Sequence, residues 1–276
     1  MDFVMGFLLL ILTGIAVGFA GGLLGVGGCF IMAPVQIWIF TSLGVPLDIA
    51  VKQAFGTNLL VVIPTAMSSA WGHSKRDAVL WKAGITLGLV GAIGAVIGAT
   101  IATTYLSGAA LKIIFGVAIL LSGIRMLTAK PIKTKKDPID NPRTLVAWAL
   151  PLGILTGIIG IGGGILMIPV MILALRFKMH NAVGTSTAMM IFTAIGGATG
   201  YVLNGLQIPD LPAYSVGYVN LAAFAALAMT SVPMAQVGVR AAHKLPATQL
   251  RNVFILVMFY VAFKMIGVFD WLGLPL

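Results

Sequence analysis

The sequence contains no glutamate. Its seven acidic residues are all aspartates: Asp2, Asp48, Asp77, Asp137, Asp140, Asp210 and Asp270. Each lies in or beside a stretch that reads as a loop. A carboxylate proton relay needs an acid at membrane depth, and none is offered. Charge of either sign is scarce: 9% of the 276 residues are charged, against about 25% in a soluble domain. A buried α/β core would still need a polar surface that this composition does not supply. A single cysteine, Cys29, excludes an internal disulfide. The histidines His73, His180 and His243 show no metal-ligand spacing, and His73 and His243 read as interfacial residues. No ATPase or redox-cofactor motif is present, so no cofactor is expected. An enzyme working within the membrane would lack its paired acid and base.

Apolar sequence is what the chain has in abundance. Hydrophobic residues make up 59% of it, and the mean hydropathy is +1.07. Runs near the length of a helix that crosses the hydrocarbon core, about 20 residues, recur from end to end. A porin-type barrel would show short alternating strands instead. The expected fold class is an all-α polytopic membrane protein in a lipid bilayer. Apolar segments fall at about 4–21, 28–41, 50–70, 79–103, 108–128, 144–160, 164–175, 182–203, 214–239 and 248–268. The start, Met1-Asp2, has no basic region ahead of the first run and reads as a retained segment rather than a cleaved signal. The net charge of +10 would suggest nucleic acid in a soluble protein, but its basic residues collect in short loops and no nucleic-acid motif accompanies them.

The stretch GLLGVGGCFIMAP at 22–34 returns as GIIGIGGGILMIP at 157–169, an offset of 135 residues with six of thirteen positions identical. A second element, VKQAFGTN at 51–58, returns as MHNAVGTS at 179–186, an offset of 128. The chain therefore reads as two related halves, 1–128 and 144–276, joined by a basic linker at 129–143. The fall in offset predicts a longer connection after the first glycine cluster, placed in TSLGVPLDIA at 41–50.

Basic residues orient the halves. They cluster at Lys75/Arg76, Lys130–Lys136, Arg176/Lys178 and Arg240/Lys244. If each glycine cluster reverses the chain, each half has five segments and all four clusters face the cytoplasm, with both termini outside. The halves are then inverted repeats. Lys52 and Lys112 are exceptions on the outer side. Segments 28–41 and 164–175 are short; helices of 12–14 residues reach about 18–21 Å, so they read as broken or re-entrant half-helices.

Gly22, Gly25, Gly27 and Gly28 fall within seven residues, and Gly157, Gly160, Gly162 and Gly163 repeat them, extended by Gly164. Non-helical backbone at membrane depth is tolerated only inside protein or along a water-filled cavity. Helices starting just after these clusters would direct N–H groups and a positive dipole end inward, which suits an anion. Close helix packing through small residues is the competing reading, and it is the preferred one for Gly88, Gly91, Gly94 and Gly98. The clusters lack the Lys-Ser or Lys-Thr of a nucleotide loop. The second repeat adds candidate donors: Gln53, Thr57 and Asn58 match Asn181, Thr185 and Ser186. Hydroxyls and amides can hold an oxyanion in a neutral site, or bond only to their own helix. Lys52 and its match His180 are candidates for an entrance or a coupling group.

These motifs, GLLGVGG leading to MAP, GIIGIGGG leading to MIP, and the accompanying FGTN and VGTS, resemble the TauE/SafE family of sulfite exporters and anion permeases. The resemblance spans essentially the whole chain. It implies a plasma-membrane transporter, as in a bacterial inner membrane, for small sulfur-containing anions: sulfite, thiosulfate, or an organosulfonate such as sulfoacetate. Export is the expected direction. Carried over by motif, the substrate-facing residues are Gly25, Gly27, Gly28, Thr57 and Asn58 with Gly160, Gly162, Gly163, Thr185 and Ser186, and Gln53 and Asn181 as neighbours. Cys29 departs from a fully glycine-rich first cluster. A carrier for another small anion, an anion channel, and the coupling ion all stay open at this level, as does the oligomeric state.

Overall fold

The structure is a computed structural model that describes residues 3–128, 139, 141–209, 211–242, 244 and 247–271. Lys130, Lys133, Lys135, Lys136, His243, Asp2, Asp137, Asp140 and Asp210 lie outside the described residues. Each expected apolar segment contains a helix. In order these are α1 (Phe3–Leu24), α2 (Cys29–Ser42), α3 (Leu47–Ser74), α4 (Trp81–Tyr105), α5 (Gly108–Thr128), α6 (Pro142–Ile159), α7 (Gly164–Leu173), α8 (Met179–Gly205), α9 (Leu221–Ala242), α10 (Ala247–Ile266) and the short α11 (Val268–Trp271). Among the described residues, seven helices are long and apolar enough to cross a membrane: α1, α3, α4, α5, α6, α8 and α9. Their outward faces carry large apolar side chains; Leu89 is 53% exposed and Ile93 61%. Such faces suit lipid, so the chain is a multi-pass membrane protein.

Two expectations need correction. The segment at 214–239 does not begin as a helix. Strands β1 (Ser215–Val216) and β2 (Val219–Asn220) pair there in an antiparallel hairpin, and α9 starts only at Leu221. Gly217, at the first position of the two-residue turn, has φ +55°, the kind of backbone tight hairpins recruit glycine for. Apolar content alone does not separate such a hairpin from helix. The 41–50 stretch is not a longer connection either. The loop between α2 and α3, 43–46, is one residue shorter than its equivalent 174–178. The surplus lengthens the helices instead: α2 has 14 residues against 10 in α7, and α3 begins earlier than α8 relative to the repeated Gly-Thr.

The chain reverses at each glycine cluster. A Cβ on Gly28 would stand 2.6 Å from the Val17 carbonyl, so α2 starts beside the middle of α1. Residues from the end of α2, Ile39, Phe40 and Leu43, share a cavity wall with Gly6, Phe7 and Leu10 at the start of α1. Similarly, Gly163 sits against Thr156 of α6, and the Ile139 N–H just before α6 donates to the Leu175 carbonyl just after α7, at 2.9 Å. The two hairpins open toward opposite faces. The start of α3 follows the first hairpin, and its far end places His73 against the Gly22 carbonyl near the end of α1. The start of α8 follows the second hairpin. α8 runs antiparallel to α3, since Gly197 packs on Leu59 and Gly56 on Tyr201.

Internal symmetry extends to the packing partners. α1 lies along α9, as α6 lies along α4. Glycine makes both contacts close: a Cβ on Gly18 would come within 2.2 Å of the Ser231 carbonyl, and one on Gly98 within 2.0 Å of the Ile154 carbonyl. Gly88, Gly91, Gly94 and Gly98 all face α6 or α8, which is the small-residue packing expected of them.

Candidate functional site

The two hinges meet on α3 and α8. Gly25, Gly27, Gly28, Gly160, Gly162 and Gly163 all have positive φ, between 64° and 98°. A side chain at such a φ is strained, so the duplicated glycines are a backbone requirement. Gly28 and Gly163 are the residues before α2 and α7, and neither helix start has a side-chain cap. The first residue of α7, Gly164, packs directly on the first hinge: a Cβ there would stand 2.5 Å from the Gly25 carbonyl and 2.8 Å from Val26 Cα. That approach explains why glycine fills position 164 while its repeat mate is Cys29, which is buried.

Gly27 faces Met190 of α8 and Val62 of α3; Gly162 faces Val62. Val62 and Met190 are repeat mates at the 128-residue offset, and both lie near the midpoints of their helices. The Thr193 hydroxyl donates to the Gly162 carbonyl at 2.8 Å, and the Ser186 hydroxyl to the Gly25 carbonyl at 2.8 Å. Side chains of α8 thus hold both hinges. Two stretches of non-helical backbone and two helix N-termini, with no charged side chain among the described residues, are gathered near the midpoints of α3 and α8.

The polar candidates divide. Asn58 lies one turn from Val62, fully buried, and its Oδ1 accepts from Gln36 Nε2 at 2.5 Å. Thr57 and Thr185 are each turned to the start of a span in the other half. Thr57 Oγ1 accepts the Asn220 N–H at 2.9 Å, next to α9, and Thr185 Oγ1 accepts the Leu80 N–H at 3.0 Å, next to α4. The shared Gly-Thr therefore ties a helix start to the core in both halves, and the hydroxyl protons remain as donors. Thr57→Val should leave the Asn220 N–H unpaired and buried, costing about 1–3 kcal/mol. Thermal unfolding without any anion should show that loss, and Thr57→Ser should recover it.

Other candidates lie away from the hinges. Gln53 donates to the Ser215 hydroxyl of the hairpin. Lys52 is only 7% exposed, ion-paired to Asp48 at 2.8 Å, with its ammonium 5.9 Å from the Tyr218 ring. Asn181 is half-buried and His180 exposed, both in the first turn of α8. Lys52 and His180 match in sequence but not in environment. His73 is no interfacial residue: it is buried, and its Nε2 bonds the Gly22 carbonyl at 2.9 Å.

A cavity of about 440 Å³ opens between α1, the end of α2 and the start of α9, walled by Phe7, Leu10, Phe40, Tyr214 and Ala223. A smaller space between the middles of α4 and α6 and the start of α7, beside Thr156 and Met167, has no room for a water molecule. Gln36, Val62, Met190 and Thr193 were not candidates from the sequence. Only the position of Gln36, a lone amide two residues past Pro34 in an apolar helix, offered a signal.

The profile of the family described as "Sulfite exporter TauE/SafE" matches residues 10–265. The chain is 30% identical to a protein of Methanocaldococcus jannaschii named "Probable membrane transporter protein", over 91% of each chain. A Haemophilus influenzae protein of the same description is 27% identical over 94% of this chain and 97% of its own. A Bacillus subtilis protein, also so described, is 31% identical over 73% of this chain and 80% of its own. No solved structure matches the chain.

Proposed function

This chain belongs to the sulfite exporter TauE/SafE family, a family of transporters rather than enzymes, and we propose that it exports small sulfur-containing anions across the plasma membrane. Sulfite, thiosulfate and an organosulfonate such as sulfoacetate are the substrates in view. The observation that carries this reading is the meeting of two positive-φ glycine hinges, each opening a helix, on Val62 and Met190 at mid-depth. Helix N-termini and bare N–H groups hold an anion without a buried cation. The substrate site comprises the six hinge glycines with Asn58, Ser186, Thr57 and Thr185; Gln53 and Asn181 are flanking residues.

The halves 1–128 and 144–276 act as inverted repeats around this site, joined by the 129–143 linker. Broken helices contributed by both halves of an inverted repeat are a recurring plan in secondary transporters. The open cavity beside α1, α2 and α9 fits one of two alternating states. The face with Lys75, Arg76, Arg176, Lys178, Arg240 and Lys244 is cytoplasmic, by its basic charge. Lys112 and Lys264 fall on the other face. Single cysteines at Lys75 and Arg176, in a Cys29→Ser background, should label only from the cytoplasm, and one at Tyr105 only from outside. Labelling of Lys75 and Arg176 from opposite faces would break the arrangement.

Flux into proteoliposomes tests the function. Sulfite, thiosulfate or sulfoacetate should exchange faster than sulfate or chloride, and unlabelled anion on the far side should accelerate uptake. Uptake without such counterflow would make the protein a channel, and equal rates for chloride would remove the sulfur-anion assignment.

A further inference from the structure

Gln36 and Asn58 form a buried amide pair that belongs to one half only. Both side chains are fully buried, Gln36 on α2 and Asn58 on α3. Gln36 Nε2 donates to Asn58 Oδ1 at 2.5 Å. The other two amide atoms, Gln36 Oε1 and Asn58 Nδ2, have no hydrogen-bond partner. Buried amide groups are almost always satisfied, so two orphans in one contact need an explanation. Packing does not supply it. In the other half the same two positions are Met171 and Ser186, and the Ser186 hydroxyl is engaged by the Gly25 carbonyl. The repeated architecture is therefore built without the amides.

The pair lies on a route. Phe40, one helical turn along α2 from Gln36, lines the 440 Å³ cavity. Val62, one turn along α3 from Asn58, packs on Gly27 and Gly162 of the two hinges. The amides thus sit between the cavity and the hinge centre.

We propose that Gln36 and Asn58 are substrate-binding residues and that their pairing selects a singly protonated oxyanion, such as hydrogensulfite in its HOSO₂⁻ form. The inference rests on the transport reading above and adds its protonation state. An amide–amide contact uses one N–H and one C=O. Whichever way the two amides are turned, one carbonyl and one NH₂ are left over. The leftover carbonyl needs a donor and the leftover NH₂ needs an acceptor. A fully deprotonated oxyanion has acceptors only and would set its charge against the carbonyl. A singly protonated oxyanion supplies an O–H to the carbonyl and an oxygen to the NH₂. A sulfonate, which stays unprotonated, satisfies the NH₂ alone.

The test is anion binding to the purified full-length protein, followed by calorimetry with sulfite and with methanesulfonate at pH 6 and pH 8. Sulfite takes up one proton close to neutral pH, whereas methanesulfonate takes up none. Wild type should bind sulfite more tightly at pH 6 than at pH 8 and methanesulfonate equally at both. Gln36→Met, which installs the residue of the repeat mate, should weaken sulfite binding at pH 6 by about 10- to 150-fold, the loss of a hydrogen bond to a charged partner. It should flatten the pH dependence and barely change methanesulfonate. Asn58→Ser, again the mate's residue, removes the NH₂ and should weaken sulfite and methanesulfonate together; it stands in if Gln36→Met is not monodisperse, and unchanged sulfite affinity in it overturns the proposal equally. Sulfite binding by wild type with no preference for pH 6 overturns the proposal. So does unchanged sulfite affinity in a monodisperse Gln36→Met protein, which would mean that water alone satisfies the pair. Either result leaves the transport reading intact. A wild-type protein that binds none of the sulfur anions would overturn both.

Discussion

Gly27→Leu and Gly162→Leu are each expected to abolish anion flux while the protein still folds. At both positions the missing hydrogen faces side chains rather than backbone. A Cβ on Gly27 would stand 3.2 Å from Met190 Cε and 3.4 Å from Val62 Cγ2, and one on Gly162 would stand 3.0 Å from Val62 Cγ1. The neighbours can yield, so the cost to folding is mainly the positive φ, about 1–3 kcal/mol. The leucine side chain then occupies the hinge centre and covers the N–H groups there. Gly98→Leu is the contrast. Its Cβ would fall 2.0 Å from the Ile154 carbonyl, so α4 and α6 must separate. That variant should fail to assemble rather than fail to transport. Retained flux in both hinge variants would move the site elsewhere.

The second large effect concerns pH. Among the described residues no acid lies at mid-depth; Asp48 is in the first turn of α3 and Asp77 in the loop before α4. The expectation is that a proton accompanying transport travels on the anion. Sulfite flux should be faster at pH 6 than at pH 8, and sulfonate flux should hardly change. His180 is the alternative carrier, as the histidine beside a repeated polar cluster. It is exposed in the first turn of α8, six residues before Ser186. The pH effect on sulfite should persist in His180→Gln. A pH effect on both anions that vanishes in His180→Gln would make the histidine the coupling residue. Strict sodium dependence would defeat both schemes.

What the sequence could show depended on how the repeat encodes each part. The hinges were legible because only glycine tolerates their φ, and the same constraint acts twice. The short helices were legible from their length. The shared Gly-Thr was legible as important, but its geometry is a tie to a helix start in the other half, which no local pattern reveals. Gln36 has no amide repeat mate to mark it, since Met171 stands at the equivalent position. Lys52 reads as an entrance or coupling candidate in the sequence because nothing there marks Asp48, one turn away, as its partner. The hairpin at 215–220 was masked by apolar residues that serve strand and helix equally.

The most direct measurement is the unfolding temperature of the purified protein in sulfite, thiosulfate, sulfoacetate, sulfate and chloride, for wild type and for Gly162→Leu. A ligand that binds only the folded protein raises its stability by mass action. One or more of the sulfur anions sulfite, thiosulfate and sulfoacetate should stabilise wild type well beyond chloride at equal ionic strength, and the gain should disappear in Gly162→Leu. Equal stabilisation of wild type and variant, or none in wild type beyond that of chloride, would contradict a hinge-centred anion site.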